Sequence, residues 1–345
     1  MNRTASLLLG IVLVVGAGGQ QRSAPPAQAN PADATARIVK AAEALLATLD
    51  DAGRARVQFP FDGPQLTRWS NLPTGIFRRE GLRMGDLTPP QRASATSLLQ
   101  AALSADGYRK VTDIIRAEEV LRAASGGRGP GGRGGLIFGQ DEYYLAFLGK
   151  PSTTARWMLQ FGGHHLAINL TLAGSQASMT PSLPATQPAT YTFEGREIRP
   201  LGKENDLAFA LINALDDKLR AQAIIGSRVA DLVLGPGQDG RVIQPEGLRA
   251  SAMSAAQQDM LLAIAREWAG IVNDAFAGPR MAEIRANLPQ TYFAWSGPTT
   301  PGSAAYFRIQ GPTLVIEYAP QGGVDHIHTI YRDPTNDYGA KLAAK

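Results

Sequence analysis

The tetrapeptide Glu-Gly-Leu-Arg occurs twice in this chain, at Glu80–Arg83 and at Glu246–Arg249, 166 positions apart. At the same spacing, LDDAGRA from Leu49 faces LDDKLRA from Leu215. Further on, YLAFLG from Tyr144 aligns with YFAWSG from Tyr292, and Gly163 with Gly311, now 148 positions apart. The difference of 18 residues falls at the glycine- and arginine-rich segment Gly126–Gly135, which has no counterpart in the second copy. Self-similarity at so long a period excludes a solenoid and points to a tandem duplication. The expected organisation is repeat 1 over residues 36–173, a linker over 174–197, and repeat 2 over 198–345, the two packed as one unit about a pseudo-twofold.

Each copy has the same order of elements. An amphipathic helix lines up Ile38, Ala41, Ala42, Leu45, Leu46 and Leu49 in the first, and Leu207, Leu211, Ile212 and Leu215 in the second. A second helix follows the polar caps Thr88 and Ser254, with Pro89 at the first helical position of the first copy. Two extended runs then make a hairpin, EYYLAFLG with WMLQFGGHHLAINLTL, and TYFAWSG with YFRIQGPTLVIEYAP. Helices followed by strands predict an α+β fold. It consists of two tandem pseudo-twofold repeats, each helices followed by an antiparallel β-hairpin, forming a shared sheet covered by helices.

Composition narrows the class. Apolar residues make up 44% of the chain and charged ones 19%, enough to bury a sizeable core. The net charge of +4 is carried by basic residues scattered singly, which argues against a nucleic-acid partner. Asn2 and Arg3 precede an apolar and small-residue run, Ala5–Gly19, that reads as a signal peptide over residues 1–19. An uncleaved anchor is the alternative. Residues 20–35, rich in Pro, Ala and Gln, read as a disordered tether. The mature protein is then expected in the periplasm or outside the cell, with no membrane association after signal cleavage. With no cysteine in the chain, there is no lipid attachment, disulfide or thiolate ligand. The GxGxxG pattern at Gly127, Gly129 and Gly132 follows a helix and contains Pro130, so it reads as a surface loop, not a dinucleotide site.

All four histidines fall in two pairs, His164-His165 in FGGHHLAINLT and His326-x-His328 in VDHIHTIYRDP. Side chains alternate across a strand, so His326 and His328 point the same way. Read as a strand, HHLAINL puts His164 with Leu166, Ile168 and Leu170, and His165 with Ala167 and Asn169. By the 148-residue shift, His165 corresponds to Thr313 and Asn169 to Glu317. The expected metal ligands are therefore His165, His326, His328 and Glu317. His164 replaces His165 if a bulge lies at Gly162-Gly163. Histidine and carboxylate without sulfur suit Zn, Cu, Mn or Fe. Glu317 is a ligand or general base, and Arg332 an anion contact. Asp325 or Asp333 would orient a ligand histidine or cap a turn. A metal-free histidine–carboxylate network, or unrelated core and surface histidines, remain as alternatives. Trp69, Trp295 and Tyr292 would line a groove for a sugar or peptide, or lie in the core.

FPFD at Phe59, EGLR and LTPPQR from Glu80, FGGHHLAIN, TYFAWSG and HIHTIYRDPTNDYG together resemble the family catalogued as domain of unknown function 3500, from about residue 36 to the C-terminus. That resemblance implies an exported or otherwise uncharacterised protein and no agreed reaction. The functional expectation is an exported metalloprotein, an enzyme of the hydrolase or oxidoreductase class acting on a small molecule or extracellular polymer. The alternative is a non-catalytic metal- or polymer-binding protein.

Overall fold

The side chain of Asn30 accepts a hydrogen bond from Ala32 N and starts helix α1 (Pro31–Ala47), which buries Ala34, Ile38, Ala42 and Leu45. Pro31–Thr35, expected in the tether, are thus helical, because the apolar stripe begins at Ala34. The computed structural model describes residues 30–126, 135–228 and 231–343. The expected signal, the tether before Asn30 and most of the glycine–arginine loop lie outside the described residues.

Seven further α-helices follow among the described residues: α2 (Asp51–Val57), α3 (Pro89–Ala102), α4 (Ala105–Ala124), α5 (Gly202–Ala214), α6 (Asp217–Ala223), α7 (Ala255–Ala269) and α8 (Asp274–Ala286). The expected caps are in place. Thr88 N donates to the Gln91 side chain, and Ser254 and Gln257 cap each other reciprocally. Among the described residues no helix is long and apolar enough to cross a membrane.

The helices pack on a large mixed sheet. Its eight main strands are β1 (Tyr144–Leu148), β2 (Trp157–Gly163), β3 (Leu166–Ala173), β4 (Ser182–Pro184), β5 (Tyr292–Ser296), β6 (Tyr306–Gly311), β7 (Leu314–Pro320) and β8 (Ile327–Arg332). They lie in the order β1-β2-β3-β4-β8-β7-β6-β5, all antiparallel. Short parallel pieces, Gln58–Phe59 and Ile224–Gly226, cap the two ends. β4 comes from the segment expected as a linker, and it pairs with β3 on one side and β8 on the other. A three-residue strand without alternation leaves no periodic signal.

One apolar core joins α1, α3 and α4 to β1–β3, and a second joins α5, α7 and α8 to β5–β8. A third cluster, with Trp69, Met158, Leu183 and Ile330, covers the other face at the centre. Trp69 and Trp295 are both buried and build core, not a groove.

Candidate metal centre

The run WMLQFGGHHLAINLTL is not one strand. Gly163 pairs with Leu166, so His164 and His165 are the two-residue turn between β2 and β3. His165 has φ 60°, in the left-handed region that non-glycine residues rarely adopt. The alternation that assigned opposite faces to the two histidines therefore does not apply to them. The turn is fastened from three sides. Tyr143 Oη donates to the His164 carbonyl at 2.9 Å, and Arg79 Nη2 lies 2.8 Å from the Gly163 carbonyl. The His165 carbonyl accepts from Ala185 N at 2.8 Å. A Cβ on Gly163 would come within 2.8 Å of the Tyr143 ring, so only glycine fits beside it.

The next residues carry the turn to the second pair. Thr186 and Ile327 exchange backbone hydrogen bonds at 2.9 Å, which sets the start of β8 beside the turn. His165 Nε2 then lies 2.9 Å from His326 Nε2. The rings of His326 and His328 meet edge to face with centroids 4.6 Å apart, and that of His328 is 5.9 Å from His165. One nitrogen from each of His165, His326 and His328 falls in a set spanning no more than 4.8 Å. Behind them stand carboxylates. Glu118, from the buried face of α4, takes His165 Nδ1 on Oε1 at 2.6 Å and His164 Nδ1 on Oε2 at 3.0 Å. Asp231 Oδ1 is 3.2 Å from His328 Nδ1, and Asn71 Nδ2 is 3.3 Å from His328 Nε2. His164 stacks on His165 at 3.6 Å, and its Nδ1 serves Glu118. Glu118, His164 and His165 form a second set with ligand spacing.

Burial pushes the His165 imidazole down to about 3, aided by the neighbouring His164 and opposed by Glu118. Burial likewise lowers His326 to about 4, with His328 and His164 adding to it. For Glu118, burial works upward, but the two imidazoles outweigh it and hold the carboxyl down at about 2. Near neutral pH the arrangement is an ionised, buried carboxylate accepting from the neutral His165 imidazole, whose Nε2 lone pair is turned to His326.

These directions predict acid sensitivity. A histidine with a folded pKa below its unfolded value stabilises fully above the unfolded value, near 6.5, and loses that stability as pH falls toward the folded one. His165 alone should cost on the order of 2 kcal/mol at pH 5 relative to pH 7. Glu118, also depressed, adds its loss only below about 4.5. Urea melts of chelator-treated protein at several pH values should show the fall beginning near 6.5, flattened in His165→Gln.

Glu317 and Arg332 stand elsewhere. The Glu317 carboxylate is fully buried and accepts from Val233 N at 2.9 Å, Leu234 N at 2.8 Å and Tyr306 Oη at 2.6 Å. It belongs to neither set of clustered ligands. Arg332 spends its guanidinium on the Leu234 and Gly235 carbonyls, Asp239 and Asp337. Both lash the segment 231–239 to the sheet, and that segment delivers Asp231 to His328. The expected ligand or base and the expected anion contact thus serve as fastenings here, because loop backbone crossing a buried sheet face must find partners there, and neither lies in a set with ligand spacing. Asp325 accepts from Ala189 N, and Asp333 caps its own turn at Thr335. Glu317→Gln, which turns one acceptor into a donor facing a donor, should cost about 1–3 kcal/mol in urea melts. Bound metal should be unchanged. Loss of the ion with the fold intact would return Glu317 to the ligand sphere.

Sequence reasoning missed Glu118, Asp231 and Asn71. Glu118 had a signal, since it continues the buried stripe Val111, Ile114, Leu121 of α4, where a charge needs a partner. Asp231 and Asn71 lie in irregular segments and had none.

No curated protein and no solved structure matches this chain. A family model described as protein of unknown function (DUF3500) matches residues 31–340, from the first turn of α1 to beyond β8, and so takes in every residue of the histidine cluster. The chain belongs to the DUF3500 family.

Proposed function

We propose that this protein is an exported metal-dependent enzyme, a hydrolase or an oxidoreductase, that holds one ion on His165, His326 and His328. The observation that carries the proposal is the 2.9 Å approach of His165 Nε2 to His326 Nε2, with the far nitrogens of His165 and His328 turned to carboxylates. Two nitrogens on one tetrahedral zinc would stand about 3.3 Å apart, a few tenths of an ångström more. Carboxylates behind ligand imidazoles fix the tautomer and raise basicity. A second support is charge. Ionised Glu118 is buried with its two oxygens on His164 and His165, and a cation across His165 would balance its charge. Three imidazoles suit Zn, Cu and Fe, whereas Mn prefers carboxylate oxygen.

Three protein ligands leave a fourth position open, as in catalytic sites, whereas structural sites close it. An ion there supplies Lewis acidity toward a carbonyl, phosphoryl group or water, or redox chemistry if it is copper or iron. The substrate class is a small molecule or an extracellular polymer. The test is restoration of turnover. Chelator-stripped protein, supplied in turn with each of the four ions, is assayed on ester, amide, glycoside and phosphoester substrates and on redox dyes. Turnover restored by one ion supports the enzyme. A tightly bound ion without turnover on any of them favours the non-catalytic binding protein.

We also infer the tandem duplication and a pseudo-twofold through the β4–β8 junction. In support, Tyr144 pairs with Gly162 and Gln160 with Asn169, while Tyr292 pairs with Gln310 and Arg308 with Glu317, the same register 148 residues on. Export is tested by N-terminal sequencing of the mature protein, which should begin after the residue 1–19 segment.

A further inference from the structure

Asn71 touches the histidine cluster with two different groups. Its backbone carbonyl accepts from His165 N at 3.4 Å, and its side-chain Nδ2 lies 3.3 Å from His328 Nε2. The amide is buried, and His328 Nε2 is the partner found for Nδ2. The position is rigidly set. Arg79 Nη2 lies 2.8 Å from the Ser70 carbonyl and 2.7 Å from that of Leu72, gripping the backbone on both sides of Asn71. The same nitrogen reaches the Gly163 carbonyl at 2.8 Å, so one guanidinium ties this loop to the histidine turn.

The donor pattern around His328 has a consequence for an occupied site. With Nδ1–H directed to Asp231, the Nε2 lone pair is what Asn71 Nδ2–H meets. That lone pair is also the one His328 would give to an ion. Ion binding therefore deprives a buried, rigidly held N–H of its acceptor, and a buried donor without a partner is costly. The acceptor that restores the balance is an oxygen occupying the ion's open position, which lies within reach of an amide already in contact with a ligand nitrogen. A donor fixed in advance at such a place stabilises negative charge on that oxygen.

Resting on the three-histidine site proposed above, we propose that Asn71 Nδ2 is the hydrogen-bond donor to the ion's outer ligand, which makes this a binding site for compounds presenting a carboxylate or carbonyl oxygen to the metal. Arg79 is the positioning residue for Asn71.

The experiment uses the full chain loaded with Co(II), whose visible absorption reports its coordination, titrated with acetate as the probe. Wild type and Asn71→Ala are expected to bind cobalt at equal stoichiometry and similar affinity. Acetate should bind the variant about 10- to 100-fold more weakly, the loss for a hydrogen bond to a charged group. Thermal melts check the fold, and if Asn71→Ala does not fold, Asn71→Ser with its shorter donor should weaken acetate less steeply in the same direction. Unchanged acetate affinity in a folded, cobalt-loaded variant would overturn the assignment. So would a fall in cobalt affinity of more than about 100-fold with loss of one ligand from the spectrum, which would make Asn71 a fourth ligand in a closed site. Failure of the wild type to take up cobalt would instead remove the three-histidine site itself, and this inference with it.

Discussion

His326→Ala/His328→Ala protein, prepared without chelator, should contain less than about a tenth of an ion per chain, against close to one for the wild type, because two of three ligand nitrogens are gone. The fold should survive. Both histidines are half-buried, near the start of β8, and neither lies in the apolar clusters that join sheet to helices. What remains is His165 with Glu118 behind it, and one buried imidazole holds a divalent ion weakly. The measurement is elemental mass spectrometry beside circular dichroism. Equal metal in wild type and variant would mean that the ion sits on Glu118, His164 and His165, the other set with ligand spacing. No metal in either, before or after addition of Zn, Cu, Mn and Fe, would leave a proton-sharing network.

Glu118→Ala should be the most damaging single change. It removes the acceptor of two imidazole N–H groups, at 2.6 Å and 3.0 Å, from a site with almost no solvent access. Leaving a buried imidazole N–H without its acceptor costs about 1–3 kcal/mol, and here two are orphaned at once. If His165 is a ligand, metal affinity should fall as well, by about 10- to 100-fold, the usual effect of losing the carboxylate behind it. Urea denaturation with and without chelator separates the two effects. A wild type stabilised by metal that Glu118→Ala no longer feels supports the coupled role. A variant that loses stability but keeps wild-type metal affinity would make Glu118 a structural acceptor alone.

Much of the secondary structure was legible in the chain. The Thr88 and Ser254 caps, the stripe from Ile38 to Leu49 and the strands YLAFL and YFAWS lie where local rules put them, because each rests on contacts within a few residues. The turn was harder. FGGHHLAIN has strand-like neighbours on both sides, and nothing local says that His165 adopts a positive φ. Tyr143, Arg79 and Ala185, from three other segments, hold it there. The equivalence of Asn169 with Glu317 pointed to a carboxylate that stands outside both sets with ligand spacing, for the same reason. Glu317 matches by register, but the loop backbone at Val233 and Leu234 claims its oxygens first.

Two pairs of imidazoles without cysteine, helices followed by strands in each copy, and membership of the DUF3500 family are all written in the chain. Tertiary structure alone decided which carboxylates stand behind the histidines. Glu118 reaches them across 46 and 47 positions, Asp231 across 97 and Asn71 across 257. Local propensity acts over a few residues, whereas a buried N–H takes whichever acceptor packing brings within about 3 Å. That choice is made only when the helices close on the sheet.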